Sequence, residues 1–360
     1  MSSTRKEDWT VDPFTFLEKD GYFYGRGTTD DKAQAAIWVA TLIRFKQEGF
    51  TPSRDLVVAL TADEEGWGPA HGVDWLLKNH RPLIDAEYSL NEGGGGQIKD
   101  GRRVLNEVQA AEKYYATFRV EATNKGGHSS LPVKDNGIYQ LAAALEKLAA
   151  FDFPIRPTEV TRAFFERTAA IVGGQDGADM KAIVASATPN AAAAGRLART
   201  PLYNAMLRTT CVPTLLEGGH AENALPQMTR ATINCRLIPG EQTADIKRTL
   251  EGVFDDPALT VTLTTDYPSS PVSPLRPDLM RTVERITGEL WPGVAVVPVM
   301  STGGTDGTFL RNAGIPTYGI SGLFEDINDV RAHGRDERLG VQAFYEGREF
   351  LYRLLKELAR

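Results

Sequence analysis

Apolar runs and helical segments alternate along the N-terminal part of the chain. Residues 54–61 contain the continuous run Leu-Val-Val-Ala-Leu, which is typical of a buried parallel strand, and residues 86–91 form a second apolar segment. Residues 33–48 and 73–78 have helical spacing. This alternation predicts an open α/β sheet with right-handed crossovers, in which ligands bind beyond the carboxyl ends of the strands.

The pattern changes from about residue 111 and changes back near residue 270. The middle segment favours antiparallel strands at 114–122, 224–237 and 259–265 and helices at 136–150 and 242–254, whereas residues 186–200 are weakly patterned. In the strand 224–237, alternation puts Thr229, Ala231, Ile233 and Cys235 on one face. The last segment favours helices at 276–290 and 341–358 and strands at 294–300 and 316–320. We therefore predict a discontinuous catalytic α/β domain, residues 1–110 and 270–360, with an α+β domain inserted over residues 111–269.

Composition excludes several classes of protein. The chain has 360 residues, 42% hydrophobic and 24% charged, which suits about two globular domains. A net charge of −7 without a basic block argues against nucleic acid as a partner. No apolar run approaches the roughly 18 residues of a membrane span, and the polar N-terminus lacks a signal-peptide core, so we expect a cytoplasmic protein. The two cysteines, Cys211 and Cys235, fit neither a disulfide framework nor a thiolate metal site.

Carboxylates follow the apolar segments of the N-terminal part. Asp63, Glu64 and Glu65 come directly after residues 54–61, and Glu92 follows residues 86–91. Consecutive carboxylates repel one another, and a bound cation relieves that cost. An acidic surface turn is the alternative for this triplet, as helix capping is for Asp30 in front of residues 33–48.

Five side chains are predicted to meet at one edge of one sheet: Asp30, Glu64, Glu65, Glu92 and His333. Carboxylates and imidazole without thiolate suit zinc, cobalt or manganese. One glutamate of the triplet can bind a metal while the other takes a proton from water, which is the arrangement for metal-assisted hydrolysis.

Six short motifs extend this interpretation over the whole chain. They are GRGTTDDK at 25–32, TADEEG at 61–66, NEG at 91–93, GHSS at 127–130, GGTD at 303–306 and AHGRDER at 332–338. In this order they resemble the signatures of the aminoacylase/carboxypeptidase-G family of dizinc exopeptidases, metallopeptidase family 20. That family also includes succinyl-diaminopimelate desuccinylase, acetylornithine deacetylase and carboxypeptidase S. The resemblance implies a zinc-exopeptidase-like sheet domain flanked by helices, with an inserted lid and dimerisation domain.

The resemblance also implies roles for the acidic residues and His333. Asp30 would bridge two zinc ions, and Glu64 would act as the general base. Glu65 and His333 would bind one ion, whereas Glu92 would bind the other.

Residues of the inserted domain and one glycine-rich loop complete the implied site. His128 would reach the active site of a neighbouring subunit and stabilise the oxyanion. Asn223 and Arg236 would hold the carbonyl or carboxylate of the substrate, since a guanidinium matches a carboxylate. The loop at Gly304 would supply backbone donors. A turn residue and a sheet-edge ion pair are the alternatives for Asn223 and Arg236.

The chain departs from the family pattern at its N-terminus. The family has an earlier segment with a His-x-Asp motif that supplies a zinc ligand, and no histidine of this sequence precedes Asp30. One metal site therefore keeps Asp30, Glu65 and His333, and the other keeps Asp30 and Glu92. We expect one or two zinc ions, an impaired or altered activity, and an uncovered apolar sheet edge that favours a homodimer or higher homo-oligomer.

Three functions stay open from the sequence. The first is hydrolysis of amide bonds in peptides or N-acyl amino acids, with ester hydrolysis on a single metal as its altered form. The second is a catalytically inactive scaffold that binds peptides or assembles through the inserted domain. The third is a serine esterase with Ser129 or Ser130 beside His128, although no Gly-x-Ser-x-Gly motif is present. The stretch 186–220 resembles the carboxypeptidase S-like branch, consistent with dipeptides or N-acyl amino acids.

Overall fold

The computed structural model describes residues 5–65 and 70–360, so Gly66 of the TADEEG motif at 61–66 lies outside the described residues. The helices are α1 Lys32–Gln47, α2 Gly72–Asn79, α3 Gly137–Ala150, α4 Glu159–Val172, α5 Gly174–Val184, α6 Ala191–Leu197, α7 Pro201–Leu207, α8 Thr243–Phe254, α9 Pro277–Leu290, α10 Gly307–Asn312 and α11 Val341–Leu358. The strands are β1 Leu17–Lys19, β2 Tyr22–Tyr24, β3 Ser89–Asn91, β4 Gly96–Lys99, β5 Arg102–Glu112, β6 Tyr114–Thr123, β7 Gly127–His128, β8 Thr210–Gly218, β9 Ala224–Leu225, β10 Met228–Leu237, β11 Leu259–Asp266, β12 Ala295–Ser301, β13 Thr317–Gly319, β14 Phe324–Asp326 and β15 Arg338–Gly340. The predicted helices in the first, middle and last segments correspond to α1, α2, α3, α8, α9 and α11.

A mixed sheet forms the centre of the larger part of the molecule. Its strand order is β14-β4-β5-β13-β3, and β12 pairs in parallel with β5. Successive residues of a strand face opposite sides of the sheet, so Val296 packs with α1, α9 and α11 while Val297 packs with α4, α5 and α6. Helices therefore cover both faces, and the α/β fold class is confirmed.

A second, antiparallel sheet has the order β11-β6-β10-β8. The predicted face of β10 is confirmed, because Thr229, Ala231, Ile233 and Cys235 are all at most 1% exposed. This face packs against α3 and α8 in a separate apolar core. The other face of β10 carries polar residues, and two of them, Asn234 and Arg236, line a cavity.

A small three-stranded sheet joins the N-terminal and C-terminal segments. The hairpin β1–β2 pairs with β15, with Leu339 opposite Phe23. This pairing brings the loop 25–31, which precedes α1, next to the segment 332–337, which precedes β15. Two candidate site residues far apart in sequence, Asp30 and His333, therefore become neighbours.

The prediction of a buried parallel strand over residues 54–61 is wrong. The segment forms no strand, and Val57, Val58 and Leu60 are 54%, 38% and 64% exposed. The described sheet ends at β3, whose strand partner is β13, so no described strand beyond this segment completes a ladder. An apolar run becomes a buried strand only when a neighbouring strand and a covering layer are present.

The interpretation of the two cysteines is also wrong. Cys211 on β8 and Cys235 on β10 form a disulfide and are direct register partners, with their Cα atoms 4.0 Å apart. A count of two cysteines carries no information about facing positions on adjacent strands. Only the pairing of β8 with β10 brings these two thiols together.

Two further expectations concern the whole chain. Within residues 5–65 and 70–360, no helix combines the length and the apolar character that a membrane crossing requires. Helix α6, which comes from the weakly patterned stretch 186–200, belongs with α4 and α5 to an apolar core that includes residues of β5 and β12, and not to the core of the second sheet. The domain boundaries at residues 110 and 270 stay a prediction.

Candidate active site

A cavity of about 1220 Å³ lies between the two larger sheets. One side, which we call the acidic side, consists of carboxylates and one imidazole from the large sheet and its loops: Asp30, Asp31, Glu64, Glu65, Glu92 and His333. The opposite side, which we call the basic-aromatic side, consists of residues on or next to the second sheet: Lys113, Tyr115, Asn234, Arg236 and Tyr267. The glycine-rich loop with Gly304 lines the cavity as well.

Three residues of the acidic side form a compact group. His333 Nε2 lies 2.6 Å from Asp30 Oδ2 and 3.2 Å from Glu65 Oε1. One ligand atom from each residue lies within 4.8 Å of the others. One ion can therefore touch all three side chains. Capping does not explain Asp30, because Asp31 occupies the N-cap position of α1.

The donor set of this group fits zinc. Two carboxylates and one imidazole are ordinary zinc ligands, and three protein ligands leave a position open for water or substrate. Glu92 and Asp30 border the same cavity, but the described residues contain no second group of three ligands. The residues present thus fit one divalent cation, with Glu92 available to a second.

Glu64, like Asp31 and Glu92, is a carboxylate of the acidic side that has no part in the three-residue group. Burial, followed by repulsion from Asp306 and Glu65, raises the pKa of Glu64 to about 8. A carboxylate with a raised pKa is a better proton acceptor than an ordinary one, and general bases work best with a pKa near the operating pH. Its position beside the three-residue group suits it to take a proton from a water held there.

Two more carboxylates show the same crowding. Burial and repulsion from Glu64 raise the pKa of Glu92 to about 10. Burial and repulsion from Asp30 raise the pKa of Asp31 to about 8. Burying several like charges together is costly unless a cation or protons neutralise them, so this side of the cavity is suited to a positively charged ligand.

Local backbone geometry places these side chains at the cavity. Asp63 and His333 both have left-handed backbone, with φ of 66° and 60°, a conformation that non-glycine residues rarely adopt and that is concentrated at functional sites. Gly94 has φ 57°, and a Cβ there would collide with the carbonyl oxygen of Gly319. The glycines after Glu92 therefore let the chain pass close to β13 and turn Glu92 into the cavity.

A buried polar network holds the loop that contains Gly304. Glu112 accepts hydrogen bonds from the hydroxyls of Thr305, at 2.8 Å, and Thr308, at 2.6 Å, and forms an ion pair with Arg311. Gly303 donates its backbone N–H to Ser301 Oγ within the loop. Gly304 lines the cavity, so its place is compatible with the predicted role as a backbone donor.

The same loop is tied to the acidic segment in front of Glu64. Thr61 donates its hydroxyl to Asp306 Oδ2 at 2.9 Å, and His71 Nε2 lies 3.3 Å from Asp306 Oδ1. Sequence reasoning missed this support, and it missed the network around Glu112. No local signal could reveal it, because the partners lie far apart in the chain and meet only in the folded protein.

Arg236 lies on the basic-aromatic side of the cavity. Its guanidinium lies 4.9 Å from the ring centroid of Tyr115, which is stacked on Tyr267 with 3.9 Å between ring centroids. Burial lowers the pKa of Arg236, and no carboxylate of the described chain forms an ion pair with it. Arg230, on the same face of β10, is by contrast paired with Glu217 at 2.6 Å. Arg236 is therefore a half-buried cation that faces a cavity and is available to an anionic ligand.

His128 and Asn223 lie elsewhere. Both are exposed: His128 lies on β7 and Asn223 directly precedes β9, and the N–H of Ser129 donates to the carbonyl oxygen of Asn223 at 2.9 Å. Neither residue lines the cavity of its own chain. The pair predicted to hold the substrate, Asn223 and Arg236, is thus separated within one subunit.

Similarity to known proteins extends over almost the whole chain. The model of peptidase family M20/M25/M40 matches residues 3–357. The chain is 27% identical over 364 residues to human N-fatty-acyl-amino acid synthase/hydrolase PM20D1, covering 98% of this chain and 71% of that protein. It is 26% identical over 359 residues to the probable carboxypeptidase S-like 2 of Dictyostelium discoideum, covering 97% and 68%. The M20 family metallo-carboxypeptidase Sso-CP2 from Sulfolobus solfataricus has a similar structure, with a TM-score of 0.64, 17% identity, and coverage of 98% and 81%.

Proposed function

The chain belongs to peptidase family M20/M25/M40, and from that premise we propose that it is a zinc-dependent hydrolase of amide bonds in peptides or N-acyl amino acids. The family is one of metallohydrolases that cleave such bonds. The observation that carries the proposal is the group of Asp30, Glu65 and His333, whose ligand atoms lie within 4.8 Å of one another. Glu64 borders the same cavity with a raised pKa.

The residues divide the chemistry between them. Asp30, Glu65 and His333 would hold the zinc ion, which when bound would supply electrophilic activation of the scissile carbonyl and of water. Glu64 accepts a proton from the attacking water and delivers it to the leaving nitrogen. The backbone N–H of Gly304 is the proposed donor to the developing oxyanion from within the same chain.

Arg236 supports a substrate that carries a carboxylate. Its guanidinium has no carboxylate partner in the described chain and faces the cavity from the side opposite Glu64. Products with a free amino-acid carboxylate suit this arrangement, and the stacked rings of Tyr115 and Tyr267 flank it. The names of the human and Dictyostelium relatives, an N-fatty-acyl-amino acid hydrolase and a carboxypeptidase S-like protein, describe substrates of this class.

A homodimer is the second part of the proposal. β8 is the edge strand of the second sheet, and its residues Val212, Leu215 and Leu216 are 51%, 61% and 67% exposed. An exposed apolar edge strand favours pairing with another chain. In such a dimer His128, which lies outside its own cavity, would reach the active site of the partner subunit.

The test of the first part is direct. Purified protein should contain zinc, and removal of the metal with a chelator should abolish hydrolysis of N-acyl amino acids and dipeptides. Replacing Glu64 by Gln should lower turnover about 10²- to 10⁴-fold while leaving the zinc content unchanged. Zinc-free wild-type protein with chelator-resistant activity would contradict the proposal.

Three alternatives are outcomes of the same test. Ester hydrolysis that depends on zinc and on Glu64, without amide hydrolysis, would identify the altered activity. Zinc or peptide binding without any turnover would identify an inactive scaffold. A serine esterase has local support only in the 2.8 Å contact between His128 Nδ1 and Ser130 Oγ, on an exposed loop outside the cavity. Loss of chelator-resistant activity in Ser130→Ala would be its signature.

The dimer is tested by mixing two inactive variants. Glu64→Gln and His128→Ala should each lack activity, and subunit exchange between them should restore about a quarter of the wild-type activity through mixed dimers. Failure of any mixture to recover activity would remove the proposed contribution of the partner subunit. The cytoplasmic location stays a prediction.

A further inference from the structure

Glu337 is a buried carboxylate to which the sequence assigned no role. Its side chain is 1% exposed, and it lies four residues after His333. Burying a carboxylate is costly unless donors satisfy its oxygens.

Four donors converge on this carboxylate, and all come from the loop that carries Asp30. Oε2 accepts from Arg26 Nη1 at 2.8 Å and from the N–H of Gly27 at 2.9 Å. Oε1 accepts from the N–H of Thr29 at 2.9 Å and from the N–H of Asp30 at 3.1 Å. A carboxylate has about four acceptor positions, so Glu337 is fully satisfied by a segment more than 300 positions away in sequence.

These bonds organise a loop that has little secondary structure of its own. The N–H groups of Gly27, Thr29 and Asp30 precede α1 and are not bonded by a helix or a strand ladder. Backbone donors inside a protein need partners, and Glu337 provides one for each of the three. The bond to the N–H of Asp30 is made at the backbone of a proposed metal ligand.

Arg26 extends the same contact to the other side of the proposed metal site. Its second terminal nitrogen donates to the carbonyl oxygen of Gly334 at 2.8 Å, directly after His333. Its guanidinium also lies 4.8 Å from the ring centroid of Trp9. The Arg26–Glu337 pair thus bonds both the backbone of Asp30 and the turn that presents His333.

We propose that Glu337, through its ion pair with Arg26, is a positioning residue that holds Asp30 and His333 at the spacing one divalent cation requires. This inference rests on the proposed function, because it takes Asp30 and His333 as metal ligands. Glu337 itself is not a ligand, since all its acceptor positions are occupied by protein donors. Its removal should therefore weaken the affinity for zinc rather than abolish it.

Glu337→Gln is the central variant. A glutamine keeps the shape and one acceptor oxygen, but its NH₂ group cannot accept the two remaining donors, and Arg26 loses its charge partner. We expect the zinc dissociation constant, measured by competition with a chromophoric chelator on metal-free protein, to rise about 10- to 100-fold, as is typical when a residue supporting a metal ligand is lost. Saturating zinc should restore most of kcat.

Asp329→Asn is the matched control. Asp329 lies in the same C-terminal segment and is also held by guanidinium groups, of Arg331 at 2.6 Å and Arg338 at 2.6 Å, but its carboxylate accepts no bond from the loop 25–30. Its zinc affinity should equal that of the wild type. An equal loss in Asp329→Asn and Glu337→Gln would overturn the proposal, because the effect would then be a general one of the segment.

Arg26→Lys covers the case in which Glu337→Gln does not fold. Lysine keeps the charge and leaves the three backbone bonds of Glu337 in place, but it cannot bond Glu337 and Gly334 with two planar N–H groups. We expect a loss of zinc affinity smaller than that of Glu337→Gln and larger than that of Asp329→Asn. Wild-type affinity in Arg26→Lys and in any folded Glu337→Gln would overturn the proposal.

The same titration separates this inference from the proposed function. A wild-type chain that binds no zinc contradicts the proposed function. A wild-type chain that binds zinc, with Glu337→Gln binding it equally well, contradicts only the role of Glu337.

Discussion

The acidic side and the basic-aromatic side of the cavity differ in the charged groups that surround their ionisable side chains. On the acidic side, Glu64 and Glu92 are crowded by other carboxylates, which together with burial raises their pKa values. On the basic-aromatic side, Arg236 stands alone over the ring of Tyr115 and has no carboxylate partner in the described chain. The carboxylates of the acidic side therefore need a cation or protons to neutralise them, whereas Arg236 on the opposite side is available to an anionic group.

Charged side chains that stabilise the fold are paired with an opposite charge, whereas these two glutamates of the cavity and Arg236 lack such a partner in the described chain. Glu337 and Glu112 are as buried as any carboxylate of the cavity, but Arg26 and Arg311 neutralise them. Buried charges in proteins are normally paired, so an unpaired one at a cavity is a candidate for ligand binding. We therefore propose that the acidic side binds a cation and that Arg236 binds an anionic group of the substrate.

The largest expected effect tests the acidic side. Glu64→Gln removes the proton acceptor and should lower kcat about 10²- to 10⁴-fold, in line with the contribution of general base catalysis. The zinc content, measured on the same preparation, should be that of the wild type. A variant that keeps more than a tenth of the wild-type kcat would show that another group accepts the proton.

The next effect tests the basic-aromatic side. Arg236→Ala removes a charge-assisted hydrogen bond of about 1.5–3 kcal/mol and should raise KM for substrates with a free carboxylate about 10- to 100-fold. Zinc affinity should not change, because Arg236 lies across the cavity from the three-residue group.

Arg230→Ala is the control for that change. Arg230 lies on the same face of β10 but already has Glu217 as its partner. Its replacement should leave KM within about twofold, since exposed ion pairs contribute little. Equal increases of KM in both variants would contradict the distinction between a paired and an unpaired arginine.

A smaller effect concerns stability. Zinc that binds the folded chain should raise its free energy of unfolding, by about 2.7 kcal/mol at a concentration one hundred times the dissociation constant. Removal of zinc should therefore lower the Tm of the wild type and of Arg236→Ala by the same amount, measured by calorimetry with and without a chelator. His333→Ala should lose most of this shift, and a full shift in that variant would exclude His333 as a ligand.

The smallest expected effect separates the contribution of the Tyr267 ring to KM from that of its hydroxyl. Tyr267→Phe keeps the ring stacked on Tyr115 and should change KM less than about threefold, whereas Tyr267→Ala removes the ring and should cost more, since aromatic pairs contribute about 0.5–1.5 kcal/mol. Steady-state kinetics on one carboxylate-bearing substrate decides this. An equal KM for the two variants would mean that the ring does not shape the substrate side of the cavity.

Local patterns along the chain were sufficient to predict most of the long helices and the buried face of one strand. Helical spacing predicted α1, α3, α9 and α11, and alternation predicted the buried face of β10 around Ile233, because these features depend on residues a few positions apart. The places of the acids and His333 after apolar segments and in short motifs predicted that they meet, and Asp30, Glu65 and His333 do lie together. Residue type and short spacing are sufficient for such inferences.

Tertiary structure alone decided what each charged or apolar group meets. The sequence predicts a buried strand over residues 54–61, but Val57, Val58 and Leu60 are exposed. Burial of such a segment depends on a neighbouring strand, which the described residues do not provide. Cys211 and Cys235 form a disulfide because β8 and β10 pair in one register. Arg236 is unpaired, Arg230 is paired, and Glu337 meets the loop of Asp30, although all three are ordinary charged residues in the sequence. Pairing is a property of three-dimensional neighbours, and the free energy of a charge depends on those neighbours rather than on the residues beside it in the chain.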